Sequence, residues 1–273
     1  MLILHHQYLI TMKTLKSLKL IIVMAIAFTA LSMNAQTTSP EPISGWALVK
    51  DYINQNLVYP GSYLRQGISG KVVVGLHVDK EGNASNYKVK STFSKDAAQE
   101  AVRLVKTILW NPGLINGLPG EYDTEYEVEF NAKRYKRHWK HNERLTAPLA
   151  LEADTSNKIY EYKQLEEVAK PYFDDGSNMG KYIATNLKFP AEAKEREIQG
   201  TVRLNFVVEK DGSVSNIVIL NSVGGGCDNE AVRLLQNTIW IPAEKNGKYV
   251  RSNGMQDITF SIGAHNFQDG NSY

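Results

Sequence analysis

The feature that most constrains this chain is a match of the sequence to itself. Displaced by 130 residues, Tyr52–Phe130 falls on Tyr182–Phe260 without a gap, and 23 of the 79 pairs are identical. GKVVVGLHVDKEGNASN (70–86) lies on GTVRLNFVVEKDGSVSN (200–216), and EAVRL at 100–104 recurs at 230–234. Trp110-x-Pro112 recurs as Trp240-x-Pro242, and Asn116-Gly117 as Asn246-Gly247. A single ungapped offset over so long a span reads as duplication. Each copy has strands and a helix of its own, so the repeat is two domains and not a solenoid.

Val72, Val74, Leu76 and Val78 alternate with other residues, as do Val202, Leu204, Phe206 and Val208, which predicts a strand with one buried face. DKEG (79–82) and EKDG (209–212) supply hairpin turns. They are too short for a calcium loop and lack its later bidentate acid. A second strand follows, clearest at Ile217–Leu220. A helix comes next, with Asp96 and Asp228 as candidate caps and Ala101, Val102, Leu104 or Ala231, Val232, Leu234 on the apolar face. It ends ahead of Trp-x-Pro. Closing strands are expected around Thr124–Asn131 and Gln256–Gly263, and a helical segment ending near Tyr59-Pro60 or Phe189-Pro190 precedes each unit. The predicted fold is α+β: each unit is a small three-stranded antiparallel sheet packed on a helix (ββαβ), with one free edge on the last strand.

Ahead of the repeat, MKTLKSLK from Met12 leads into an apolar run, Leu20–Leu31, and then to small or polar residues up to Ala35. This is the pattern of a secretory signal, and the run is shorter than the ~20 residues of a spanning helix. An uncleaved anchor is the alternative, and Met12 reads as a better start than Met1. The expected divisions are a signal at 1–35, a first domain at 40–132, a linker at 133–163, a second domain at 164–265 and a polar tail at 266–273. Lys13, Lys16 and Lys19 account for the formal charge of +2, leaving the rest near neutral, so nucleic acid is not expected. The single cysteine, Cys227, allows no intrachain disulfide and reads as a buried small apolar residue.

The linker opens with KRYKRHWKHNER (133–144), basic with interleaved aromatics. It reads as a solvated surface, with contact to an anionic surface such as phosphate-bearing lipid or polymer as the alternative. His138 and His141 have no acid or cysteine cluster beside them, so no metal site is expected. No cofactor is expected either. The sequence contains no Gly-x-Ser-x-Gly elbow, no His-Glu-x-x-His and no phosphate loop; Gly224–Gly226 lacks the Gly-Lys-Ser/Thr ending. An enzyme is therefore not expected.

The second unit resembles the C-terminal domain of TonB and its relatives in Bacteroidetes-type bacteria. The residues that carry the resemblance are Phe189-Pro190, Ile198-x-Gly200, the Lys-Asp-Gly turn, Ser222–Gly226, Asp228-x-Glu-Ala231, Trp240-x-Pro242 and Asn246-Gly247. The first unit keeps Tyr59-Pro60, Ile68-x-Gly70, the turn, Trp110-x-Pro112 and Asn116-Gly117, but STFSKD (91–96) replaces the Gly-rich segment. It is the weaker member, with a structural role beside the second unit as one reading.

The resemblance implies a periplasmic peptide-binding module of TonB-dependent transport. Its partner would be the TonB-box peptide of an outer-membrane transporter, added as a strand to the free sheet edge. Energising inner-membrane proteins would join only if the chain is anchored. On this reading the binding strand carries Gln256, Ile258, Phe260 and Ile262 in the second unit and Tyr126, Val128 and Phe130 in the first. The same residues could instead face the core, leaving recognition to the backbone. A full transducer has a Pro-rich spacer, whereas the nine prolines here are scattered. The alternative function is a structural or interaction protein that keeps the fold but binds another envelope partner or pairs edge to edge as a homodimer.

Overall fold

A computed structural model describes residues 37–141 and 147–262; the signal-like segment and the whole of the expected polar tail (266–273) lie outside the described residues. The first unit runs α1 (Gly45–Asn56), α2 (Gly61–Gln66), β1 (Gly70–Val78), β2 (Ala84–Ser91), α3 (Lys95–Val105) and β3 (Tyr122–Phe130). Two connecting segments follow, the helix α4 (Ala132–His141) and the short strand β4 (Ile159–Tyr160). The second unit repeats the plan: α5 (Met179–Asn186), α6 (Ala191–Glu195), β5 (Gly200–Val208), β6 (Val214–Asn221), α7 (Cys227–Gln236), β7 (Ala243–Lys245) and β8 (Lys248–Phe260).

In both units the first strand is central and antiparallel to its two neighbours, giving β2-β1-β3 in the first; the second sheet has five strands and not the expected three, ordered β6-β5-β8-β7 with β4 added on β8. One face of each sheet is buried. Val72, Val74, Leu76 and Val78 join Ala97, Ala101, Leu104 and Val105 of α3 in one core. Val202, Leu204, Phe206 and Val208 join Ala231, Leu234 and Leu235 of α7 in the other. The two-residue and 3.6-residue periods thus meet at a single interface in each unit.

The identities shared by the copies have local causes. Gly82 and Gly212 have φ of +86° and +81°, and a Cβ would lie 2.3 or 2.2 Å from the carbonyl oxygen of Trp110 or Trp240. Turn glycine and Trp-x-Pro are one packing unit. The Glu and Arg of EAVRL clamp the lead-in helix to the core helix. Glu100 accepts from the Val58 backbone N–H at 2.7 Å, and Arg103 donates to the Asn56 carbonyl at 2.9 Å. Glu230 and Arg233 make the same bonds to Lys188 and Asn186, at 2.6 and 2.8 Å.

Four boundaries differ from the sequence reading. The lead-in helices stop at Asn56 and Asn186, and Pro60 and Pro190 instead take the N-cap positions of the short helices α2 and α6, with ψ of 121° and 140°. The cap of α3 is Ser94, whose side chain accepts from the Ala97 N–H, and not Asp96. Asp228 sits inside α7, beyond its cap Gly226, and turns back to accept from the N–H groups of Val223 and Gly224. The closing strands begin earlier, at Tyr122 and Lys248, because Asn246-Gly247 (φ +51° and +67°) is a tight hairpin turn that pairs Ala243–Lys245 with the start of β8.

The units pack against each other. α1 lies on β6, and Leu48 joins the second core. Between them Arg251, 2 % exposed, forms a two-bond ion pair with Glu209, 4 % exposed, through its Nε and Nη2 at 2.8 Å each. The same guanidinium donates to the Thr107 carbonyl of the first unit (2.8 Å) and to the Asn157 carbonyl of the connecting segment (2.9 Å). Asn216 reaches across as well, donating to Thr107 O and accepting from Leu109 N. Burial, with the Glu209 and Asp211 carboxylates next, pushes the neighbouring Tyr52 phenol well above its ordinary range.

Removing one member of a buried pair strands the other charge. Arg251→Met should therefore destabilise the protein by about 3–5 kcal/mol in urea unfolding, and Arg251→Met/Glu209→Leu should recover much of the loss. A single variant within 1 kcal/mol of wild type would show the junction to be solvated. Glu230 gives a pH signature. Burial works to raise its carboxyl pKa, but Arg233 and the Lys188 N–H outweigh that and hold it below the ordinary 4.5. A folded pKa below the unfolded one means this contribution is complete above pH 4.5 and is lost as pH falls through the folded value. Glu230→Gln should flatten the acid limb of the stability profile; an unchanged limb would assign the acid sensitivity elsewhere.

Candidate functional site

β3 forms the outer edge of its sheet, and β8 does so only in its later part, its first residues being paired with β7 and β4. Which backbone groups each strand offers follows from the hairpin turns. Asp79 and Glu209 spend both N–H and C=O on the turn side, bonding Asn83 O and Gly82 N, and Ser213 O and Gly212 N. Alternation along the strand then aims the even residues of β1 and β5 at the closing strand. Their partners are Tyr126, Val128 and Phe130 in one unit and Gln256, Ile258 and Phe260 in the other. The N–H and C=O groups facing outward belong to the odd residues, Asp123, Glu125, Glu127, Glu129 and Asn253, Met255, Asp257, Thr259.

The side chains expected to meet a ligand lie elsewhere. Val128, Phe130, Ile258 and Phe260 are at most 1 % exposed, and Tyr126 is 9 % exposed beneath Trp46. Gln256 is half-buried and turns its amide to the Asp257 carbonyl. Ile262 lies past the strand end, its N–H on Gln199. These side chains fill the core because they share the face of the strand that packs on the helix. Hydrophobic periodicity marks only the buried set; the outward set follows from the register of the turns.

The two edges differ in charge. β3 presents four acids in alternation, three of them tied locally: Glu127 to Lys71 at 2.8 Å, Asp123 to His77 at 3.0 Å, Glu129 to Arg134 at 3.1 Å. A row of acids protects an edge against strand pairing. β8 presents Asn253, Met255 and Thr259, and its one acid, Asp257, is closed by a two-bond pair with Arg203 at 2.8 and 2.7 Å. Met255 is 60 % exposed.

The connecting segment occupies part of the second edge. β4 runs parallel to β8 at Arg251 and Ser252, and Tyr249 bonds the Glu152 carbonyl and the Asp154 N–H. Asn253 donates to Glu161. Beyond that point, from Gly254 to Phe260, no described residue pairs with the outer side of β8.

A family model of the Gram-negative bacterial TonB protein C-terminal matches the chain twice, at residues 55–132 and 185–262. The two matches are offset by the same 130 residues as the internal repeat. The chain belongs to the TonB C-terminal family. No curated protein matches it in sequence. Both TonB C-terminal units have the architecture expected of two tandem copies, and the edge strand just described is the closing strand of each.

Among the described residues no group of three or more His, Cys, Asp or Glu gathers as a metal site. Cys227, at the start of α7, is fully buried in the second core, and burial, with Asp228 next, pushes its thiol pKa up. A protonated, enclosed thiol is a poor nucleophile. Cys227 should resist thiol reagents in native buffer and react at once in denaturant; rapid native labelling would reveal opening of the α7 N-terminus.

Proposed function

We infer that this protein is a TonB-like peptide-binding module of envelope transport, taking an extended transporter segment as an added strand on β8. The observation that supports this most directly is the unpaired outer side of Gly254–Phe260, uncharged apart from a closed ion pair, on the closing strand of a TonB C-terminal unit. Strand addition needs a row of backbone groups free to pair, and those of Met255 and Thr259 supply it together with the Asp257 N–H, an incoming strand having to displace the Gln256 amide from the Asp257 carbonyl. The exposed Met255 side chain adds an adaptable apolar contact.

The first unit serves as a structural partner. Its acid-lined edge opposes strand addition, while α1 and Thr107 brace β6 and Arg251 of the second unit. Export through the N-terminal segment would place both units in the periplasm, where transporter segments are presented.

A synthetic TonB-box peptide should bind the protein by calorimetry and perturb amide signals of Met255–Thr259 while leaving those of Asp123–Glu129 unmoved. Met255→Pro removes an outward N–H without touching the β5 ladder. It should abolish binding with little change in thermal midpoint. If the peptide binds the Pro variant equally well, strand addition at β8 is wrong.

A further inference from the structure

The basic segment that follows the first unit takes no part in the β8 edge or in the Arg251 junction. Ala132–His141 forms the helix α4. Its aromatic side packs back on the protein: Tyr135 lies 5.2 Å from the Tyr59 ring and joins the first core, and Trp139 lies 6.1 Å from Tyr135. Arg134 is held by Glu129. Lys133, Lys136 and Arg137 are exposed, and none makes an ion pair or hydrogen bond with a described residue. Their i, i+3, i+4 spacing places them on one face. The ten-residue helix contains no acid.

The duplication sharpens the point. At the same offset the second unit continues IGAHNFQDGNSY where the first has AKRYKRHWKHNE. The cationic helix is therefore particular to one copy and is not needed to finish the shared fold.

We propose that α4 is an electrostatic docking face for an anionic phospholipid surface. Ala132 and Tyr135 already belong to the first core and Trp139 lies against Tyr135, so the helix has no free apolar stripe to insert in the manner of an amphipathic anchor. What it leaves outside is a row of unpaired cations, Lys133, Lys136 and Arg137, none of which lines the cavity that Arg134, Tyr135 and His138 form with α1. A plane of lipid phosphates matches that row, and attraction of this kind adds on the order of fivefold in partitioning per Lys or Arg near the surface. The N-terminal segment, read as an export signal or anchor, brings the chain to a bilayer in either case. Docking through α4 would hold the β8 edge beside the membrane without any spanning element. The proposal is independent of peptide binding by β8.

The test uses the chain from Gln36 onward, which removes the apolar segment as a competing anchor. Both cores draw their buried residues from Val49 to Phe260, so this form keeps the fold. Cosedimentation with phosphatidylglycerol-containing vesicles at low salt should show binding. Pure phosphatidylcholine vesicles should not bind, nor should the anionic vesicles at about 0.5 M salt, where screening shortens below ~5 Å. Lys133→Gln/Lys136→Gln/Arg137→Gln should weaken binding on the order of 100-fold at unchanged thermal midpoint, while Lys88→Gln/Lys90→Gln on β2 should leave it intact. The proposal fails if the triple variant binds as well as wild type or if anionic vesicles are ignored. It fails equally if the β2 variant loses as much, or if a soluble polyanion is bound and vesicles are not.

Discussion

Arg251 is where the molecule is joined. A single guanidinium, closed off from water, satisfies Glu209 from its own sheet, the Thr107 carbonyl from the other unit and the Asn157 carbonyl from the connecting segment. None of these partners could be buried alone without a large desolvation cost. Each therefore depends on the others being in place, and three stretches of chain distant in sequence become one arrangement. Hydrophobic contact through Leu48 adds area to this interface, but area alone has no direction. The fork of the guanidinium, with Asn216 beside it, sets the register between the units.

That junction has a consequence for the sheet edges. It fixes the connecting segment across the beginning of β8, so the second edge opens only after Asn253. The first edge is open in the backbone sense but carries a column of acids. One duplicated fold has thus diverged into a braced, charge-guarded copy and a copy with a short uncharged opening. The divergence lies in outward residues of the closing strands, where core packing places no demand.

Much of the architecture was legible in the sequence. The offset of 130 residues identified two copies, the alternation of Val72–Val78 and Val202–Val208 gave the central strands, and EAVRL marked the core helix. These signals are local or periodic, and core burial enforces them strongly. The caps and strand starts were misread because the competing signals were close in sequence: Ser94 against Asp96, Gly226 against Asp228, and a hairpin at Asn246-Gly247 that advanced β8 by eight residues from its expected start at Gln256.

Sequence periodicity was enough to show that two TonB-like units follow one another and which residues of the central strands and core helices are buried, because burial repeats with the geometry of strand and helix; for the closing strands it left the facing open. Tertiary structure alone decided which edge is free, how the units meet, and that the basic stretch is a helix with Tyr135 turned into the first core. Those outcomes rest on single contacts between residues up to 144 positions apart, such as Arg251 with Thr107. No period along the chain records such pairings, because each is made once and only when both units are already folded.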